Sequence, residues 1–273
     1  MNGLDAASEA PTLAEYYRQV MDQIVQSLRE GSYCALLGPR LSGKTHLLRY
    51  LDQALAESLG WRSIYIDLYT IQAFTLQGFF AELIDVTGKR IAELTGQHVT
   101  IPEPGVASSA EFRAFLTDAV TALEQDLVLI IDQLEAAPHD LVQALLTSLR
   151  AAYMDQQTLD YRVLVVVSGA LSLTTLTVGE SSPFRGIARR VFVGDLSKRE
   201  SAALIDEQIQ AGAMTASERA GRRLLRATSG DPYLIRRICQ RCAEAIQAES
   251  LDRVRGRTSP RTWSNWWTPT TMK

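Results

Sequence analysis

One octapeptide restricts the fold more than any other part of the chain. Gly38-Pro39-Arg40-Leu41-Ser42-Gly43-Lys44-Thr45 fits G-x-x-x-x-G-K-[ST], with a β-rich apolar run ending at Leu37 and a helical pattern starting at Lys44. A strand that breaks through glycines into a helix forms a loop whose successive N–H groups point at one spot, and the helix N-terminus adds partial positive charge beneath them. Such a loop cradles phosphate. Lys44 is placed to bind the β- and γ-phosphates and the Thr45 hydroxyl to coordinate Mg²⁺. The nucleotide-binding set is therefore Gly38 to Thr45 with the adjoining His46. A tight turn without a ligand is the bland alternative, and the agreement of motif with context weighs against it.

The rest of the sequence supplies the frame this loop needs. Apolar runs at Ser32–Leu37, Ser63–Leu68, Leu127–Asp132, Arg162–Ser168 and Arg190–Val193 read as strands, most of them apolar throughout, as strands covered on both faces are. Segments of helical period lie before and between them: Leu13–Glu30, Lys44–Leu59, Thr75–Thr95, Ala110–Gln125 and His139–Asp155. This alternation predicts an α/β unit built on a mostly parallel sheet. Gln97–Ser109, with Pro102, Pro104 and Gly105, reads as a surface loop, and Leu171–Gly186 as an irregular stretch over the sheet's edge. After Asp195 three helical segments follow, Lys198–Gln210, Ser217–Ala227 and Tyr233–Ala248, with Ser197 and Glu200 at capping-box spacing. The expected division is an N-terminal helical segment (1–30), an ATPase core (31–196), a helical lid (197–249) and a poorly ordered tail (250–273). That tail is basic and holds three of the four tryptophans, Trp263, Trp266 and Trp267.

A phosphate loop requires a second contact to the metal. Leu127–Asp132 ends a buried strand in a carboxylate, at the sheet edge where open α/β sheets bind ligands, so Asp132 is the expected Mg²⁺ contact through water. Hydrolysis further needs a group that orients and deprotonates water. Gln133 follows Asp132 directly; a glutamine positions water but cannot take its proton, which predicts slow turnover. Glu135 serves if the chain turns back toward the γ-phosphate, and is otherwise a structural or partner-facing acid. Ser168, at the end of the fourth strand, either touches the γ-phosphate or the attacking water or is a turn residue. Arg185, Arg189 and Arg190 read as solvated charge, or as a group reaching a neighbouring subunit's phosphate. In Gly230-Asp231-Pro232 the proline sets a helix start, and one turn further Arg236 or Arg237 faces the phosphates if the helical lid folds over the loop.

Composition excludes other classes. Hydrophobic residues at 46% and charged residues at 22% are those of a globular chain, and a net charge of −3 gives no global field for nucleic acid or anionic membrane. No apolar run approaches the roughly 20 residues of a membrane span. The N-terminus has no signal-peptide pattern and there are only three cysteines, so the expected address is cytoplasmic. Cys239-x-x-Cys242 sits in a helical pattern without a second ligand pair, which argues against zinc. Seven arginines between Arg219 and Arg241 read as a solvated helix face or a nucleic-acid stripe.

Gly31–Thr45, the L-V-L-I-I-D strand, Ser181–Phe184 (S-S-P-F), Arg190–Glu200 and Ser229–Ile235 (S-G-D-P-Y-L-I) together resemble the AAA-like ATPase module of bacterial STAND proteins, signal-transduction ATPases related to AAA+. The resemblance spans residues 12–248. It implies a three-layer P-loop NTPase sandwich with a five-stranded sheet of order 5-1-4-3-2 and a helical lid. It also implies ATP/ADP and Mg²⁺ as ligands, with ADP holding the module closed and ATP permitting oligomerisation. By position it assigns Lys44 and Thr45 to phosphate and metal, Asp132 to metal, and Pro232 to base or ribose. Guanine has no support, because no N-K-x-D occurs. Gln133 departs from the family's usual acid. A winged helix, sensor repeats or effector usually follow in such proteins, where this chain has its Trp/Arg-rich tail. The leading expectation is a slowly hydrolysing ATP switch that controls homo-oligomerisation or engagement of a protein effector. A nucleic-acid loader and an ADP-bound scaffold are the alternatives.

Overall fold

The computed structural model describes residues 13–73, 75–96, 107–156, 159–212 and 216–255. Most of the expected Gln97–Ser109 loop and the tail beyond Arg255, with its three tryptophans, lie outside them. Five strands form one parallel sheet: β1 (Tyr33–Leu37), β2 (Arg62–Asp67), β3 (Leu127–Asp132), β4 (Val163–Gly169) and β5 (Ala188–Phe192), in the order β2-β3-β4-β1-β5. Read from the other edge this is 5-1-4-3-2. The helices are α1 (Leu13–Arg29), α2 (Lys44–Leu59), α3 (Leu76–Thr95), α4 (Ser109–Leu123), α5 (His139–Asp155), the short α6 (Thr174–Val178), α7 (Lys198–Ala211), α8 (Glu218–Thr228) and α9 (Pro232–Arg255). Helix α9 thus continues past Ser250, where the sequence reading placed the start of the tail.

Side-chain alternation along the strands sorts the core into two layers. Tyr33 and Ala35, Leu127, Leu129 and Ile131, and Val163, Val165 and Val167 face the layer filled from α3, α4 and α5. Cys34 and Leu36, Val128 and Ile130, and Leu164 and Val166 face the layer filled from α1 and α2. Asp132 and Ser168 come next in that second register, one residue beyond the paired Ile131 and Val167. The sheet therefore carries both polar residues to the face that α2 covers.

Strand β5 is an edge, and its Arg189, Arg190 and Phe192 are exposed. It begins two residues before the expected start, and Arg189 forms an ion pair with Glu30, next to the end of α1. The irregular stretch after β4 contains α6. Its S-S-P-F segment is structural: Ser182 donates to the Leu176 carbonyl at 2.6 Å, and the Phe184 ring packs 5.6 Å from that of Tyr33.

The C-terminal helices α7, α8 and α9 close on Leu196, Leu204, Ile205, Ile235 and Cys239, with Tyr16 and Tyr17 of α1 packed against them. The expected capping box starts α7: Ser197 Oγ accepts from the Glu200 amide at 3.2 Å, and Glu200 returns a carboxylate to the Ser197 amide at 2.7 Å. Helix α1 also buries Val20, Ile24 and Leu28 against the sheet, so one helix belongs to two cores. Among the described residues no helix is long and apolar enough to cross a membrane.

Candidate nucleotide site

The loop from β1 to α2 lies at the C-terminal edge of the sheet. Gly38 donates its amide to the Gly169 carbonyl at 3.3 Å, and a Cβ on Gly38 would fall 2.2 Å from the Val193 carbonyl oxygen. Only glycine fits between β4 and β5 there. Leu41 and Gly43 both have positive φ, 66° and 91°, a wrapped backbone that turns the following amides inward. Helix α2 follows an N-cap glycine, Gly43, with no side-chain cap and no acid in its first turn, which leaves its N-terminal N–H groups for an anion. Lys44 is buried and donates to the carbonyls of Gly38 and Pro39 at 3.0 and 2.7 Å. Burial lowers its pKa, against the opposing pull of the Glu135 and Asp132 carboxylates.

Two carboxylates thus act on the Lys44 ammonium. Asp132 is fully buried, and both its oxygens are engaged: Oδ1 accepts from the Gln133 amide at 2.8 Å and Oδ2 from the Tyr65 hydroxyl at 2.7 Å. Burial and the adjacent Asp132 carboxylate raise the Tyr65 pKa, which keeps the phenol a donor. The chain then turns sharply. Gln133 takes a left-handed conformation, φ 63°, and its side-chain amide donates to Asp67 Oδ1 at 2.8 Å. The 3₁₀ turn Leu134–Ala136 swings Glu135 back across the sheet edge, where Oε2 accepts from the Ala170 amide at 3.1 Å.

No family model and no curated protein matches the sequence. Solved structures do. The chain superposes on the Walker-type ATPase Paby2304 of Pyrococcus abyssi with a TM-score of 0.60 at 18% identity, covering 91% of this chain and 78% of that one. Cdc6p from Pyrobaculum aerophilum gives 0.58 at 19% identity, covering 91% and 65%. The Aeropyrum pernix Orc1 protein, solved in complex with DNA, gives 0.53 at 17% identity, covering 92% and 63%. This chain has the fold of the Walker-type ATPases. It spans less than two thirds of the Cdc6p and Orc1 chains.

The residues of this Walker-type fold suit a magnesium nucleotide. The uncapped start of α2 is matched to a phosphate chain. The buried hydroxyls of Ser42 and Ser168 have no hydrogen-bond partner among the described residues, and a phosphate oxygen or its water satisfies such a group. Thr45 is half-buried and His46 exposed in the first turn of α2; Pro39, Arg40 and Leu41 form the exposed tip of the loop.

Other expected residues lie at the start of α9. Gly230 has φ 95° and lies where a Cβ would meet the Leu196 carbonyl at 2.3 Å. Asp231 caps α9 by accepting from the Tyr233 and Leu234 amides at 2.8 and 3.0 Å, and Pro232 is buried at the helix start. Local folding thus accounts for this tripeptide. Arg236 is half-buried one turn into α9, and among the described residues no hydrogen bond or ion pair joins it to the phosphate loop. No group of described residues has the donors for a Cys/His/Asp/Glu metal site.

Sequence reasoning missed the Tyr65–Asp132 and Gln133–Asp67 bonds. Both cross from β2 to the end of β3, so finding them needed the pairing of β2 with β3. Also missed were Tyr16 and Tyr17. The Tyr16 hydroxyl accepts from the Gly194 amide at 3.1 Å, and the Tyr17 hydroxyl lies 2.3 Å from where a Cβ on Gly43 would be.

Proposed function

We propose that the chain is an ATP-binding, slowly hydrolysing switch module whose nucleotide state controls homo-oligomerisation or engagement of a protein partner, as in the STAND-like proteins its sequence resembles. The observation that carries this reading is the uncapped start of α2, where Lys44 is buried and the buried hydroxyls of Ser42 and Ser168 have no hydrogen-bond partner among the described residues. Lys44 and the loop amides bind the phosphates, and Ser42 and Ser168 offer their hydroxyls to phosphate oxygens or to water. Thr45 and Asp132 hold Mg²⁺, which neutralises charge on the β- and γ-phosphates. Glu135 takes the proton from the attacking water. Gln133 cannot do so and spends its side-chain amide on Asp67, while one oxygen of Glu135 is already engaged by Ala170. Slow turnover follows.

The switch runs through α1, which packs on both the sheet and the C-terminal helices. We divide the chain accordingly into a core over 31–196 and a helical unit over 197–249. A nucleotide that binds differently with the helical unit open or closed shifts the population between them. Calorimetric titration with ATP and ADP in Mg²⁺ tests the reading: wild type binds both, and Lys44→Ala binds neither. Unchanged binding by Lys44→Ala contradicts it.

A second reading, a loader acting on nucleic acid, is favoured by the Cdc6p and DNA-bound Orc1 neighbours and by the exposed Arg219, Arg222, Arg223 and Arg226 of α8. It requires ATP turnover stimulated by DNA and steeply weakened by salt.

A further inference from the structure

We infer that Tyr65 is a positioning residue that sets Asp132 for its Mg²⁺ contact and ties it to the helix carrying Thr45; this rests on the nucleotide reading above. Asp132 is buried, and two protein groups orient its carboxylate. One of them, the amide of Gln133, belongs to the next residue and moves with it. The other comes from a different strand. Tyr65 stands opposite Ile130 in the β2–β3 register, and its ring reaches along the sheet so that the hydroxyl meets Asp132 Oδ2 at 2.7 Å. Each carboxylate oxygen carries a second lone pair, so both bonds can persist while the group accepts from a metal-bound water.

The ring is itself held. The Arg49 guanidinium lies 4.3 Å from the Tyr65 ring centroid, a cation–π distance. Arg49 is four residues after Thr45 on α2 and so lies on the same helix face, one turn away. A strap of Arg49, Tyr65 and Asp132 therefore joins the face of α2 that bears the Thr45 hydroxyl to the end of β3. Mg²⁺ demands near-octahedral ligand placement, so the relative position of Thr45 and Asp132 decides how well both serve it. A flanking group that orients a metal-side carboxylate is worth about ten- to a hundred-fold in metal affinity. The strap gives one role to the Tyr65 ring, which shares its face of β2 with Ser63 and Asp67, and to the Arg49 guanidinium above it.

The test is a titration of Mg²⁺ into the full chain with a fluorescent ATP analogue, for wild type and Tyr65→Phe, beside the same titration in EDTA. Tyr65→Phe keeps the ring and the Arg49 contact and removes one hydroxyl. Its analogue affinity in EDTA stays at the wild-type value, while the half-saturating Mg²⁺ concentration rises about ten-fold. In an Asp132→Asn background the same substitution has no further effect on the Mg²⁺ midpoint, because the group it positions is gone. A midpoint unchanged by Tyr65→Phe overturns the inference, as does an equal shift in both backgrounds. If wild type binds no analogue with or without Mg²⁺, the nucleotide reading falls and takes this inference with it. Analogue binding with an unmoved midpoint removes the inference alone.

Discussion

Glu135 Oε2 accepts a hydrogen bond from the Ala170 amide at 3.1 Å, joining the turn after β3 to the end of β4. That contact lies beside Gly169, whose carbonyl receives the Gly38 amide at the start of the phosphate loop. In the function proposed above, Glu135 takes the part that an acid directly after Asp132 would otherwise play. The left-handed Gln133 makes the reversal possible.

Glu135→Gln is expected to keep nucleotide affinity and to lower the turnover number about a hundred-fold, the scale of losing a general base. Gln133→Ala is expected to change turnover only a few-fold, since its amide is committed to Asp67. Steady-state phosphate release, read beside calorimetric binding, separates the two. Equal losses in both variants would contradict the assignment.

Gly38→Ala places a methyl group 2.2 Å from the Val193 carbonyl, so the loop or the end of β5 must move. Overpacking of this kind costs about 1–3 kcal/mol. The variant is expected to melt earlier in urea and to bind nucleotide more weakly, because the displaced segment is the phosphate cradle.

How much of this was legible in the sequence follows from how local each determinant is. The phosphate loop, the apolar β3 and the helices α2 and α5 have their expected bounds, because glycine spacing, continuous apolar character and helical period are all written in neighbouring residues. Strand β5 was placed two residues late, since an edge strand carrying Arg189 and Arg190 has little apolar signal. The short α6 was hidden in a Ser/Thr-rich stretch. Asp132 and Ser168 stand at the ends of β3 and β4, where an apolar run closing on a polar residue puts them. The position of Glu135 is not legible because it depends on a positive φ at Gln133, a conformation that side-chain type does not announce. Tyr65 was unreadable for another reason: its partner lies 67 positions away across strands whose pairing only the sheet defines.

The Tyr16 hydroxyl accepts the Gly194 amide in the segment that leads from β5 into the C-terminal helices. Tyr16→Phe removes the acceptor and leaves that amide unpaired, at a cost of about 1 kcal/mol. Urea unfolding followed by circular dichroism is expected to show a lower midpoint with an unchanged slope.

Burial pushes the Cys34 thiol up to about 12 from its ordinary 9.0. The folded state therefore keeps a proton that the unfolded chain releases above pH 9. This contribution to stability is full below that pH and is lost as pH rises toward 12. Cys34→Ala is expected to lose less stability than wild type between about pH 8 and about pH 10.5 in urea titrations. A parallel decline in both proteins would place the alkaline sensitivity elsewhere.

The central claim, that nucleotide state sets assembly, is tested most directly by light scattering on the size-separated chain, in ADP and in a non-hydrolysable ATP analogue with Mg²⁺. The account predicts a monomer in ADP and a multiple of the 30.2 kDa chain mass in the analogue, with Lys44→Ala monomeric in both. The same mass in both nucleotides, with binding of each verified, would contradict it.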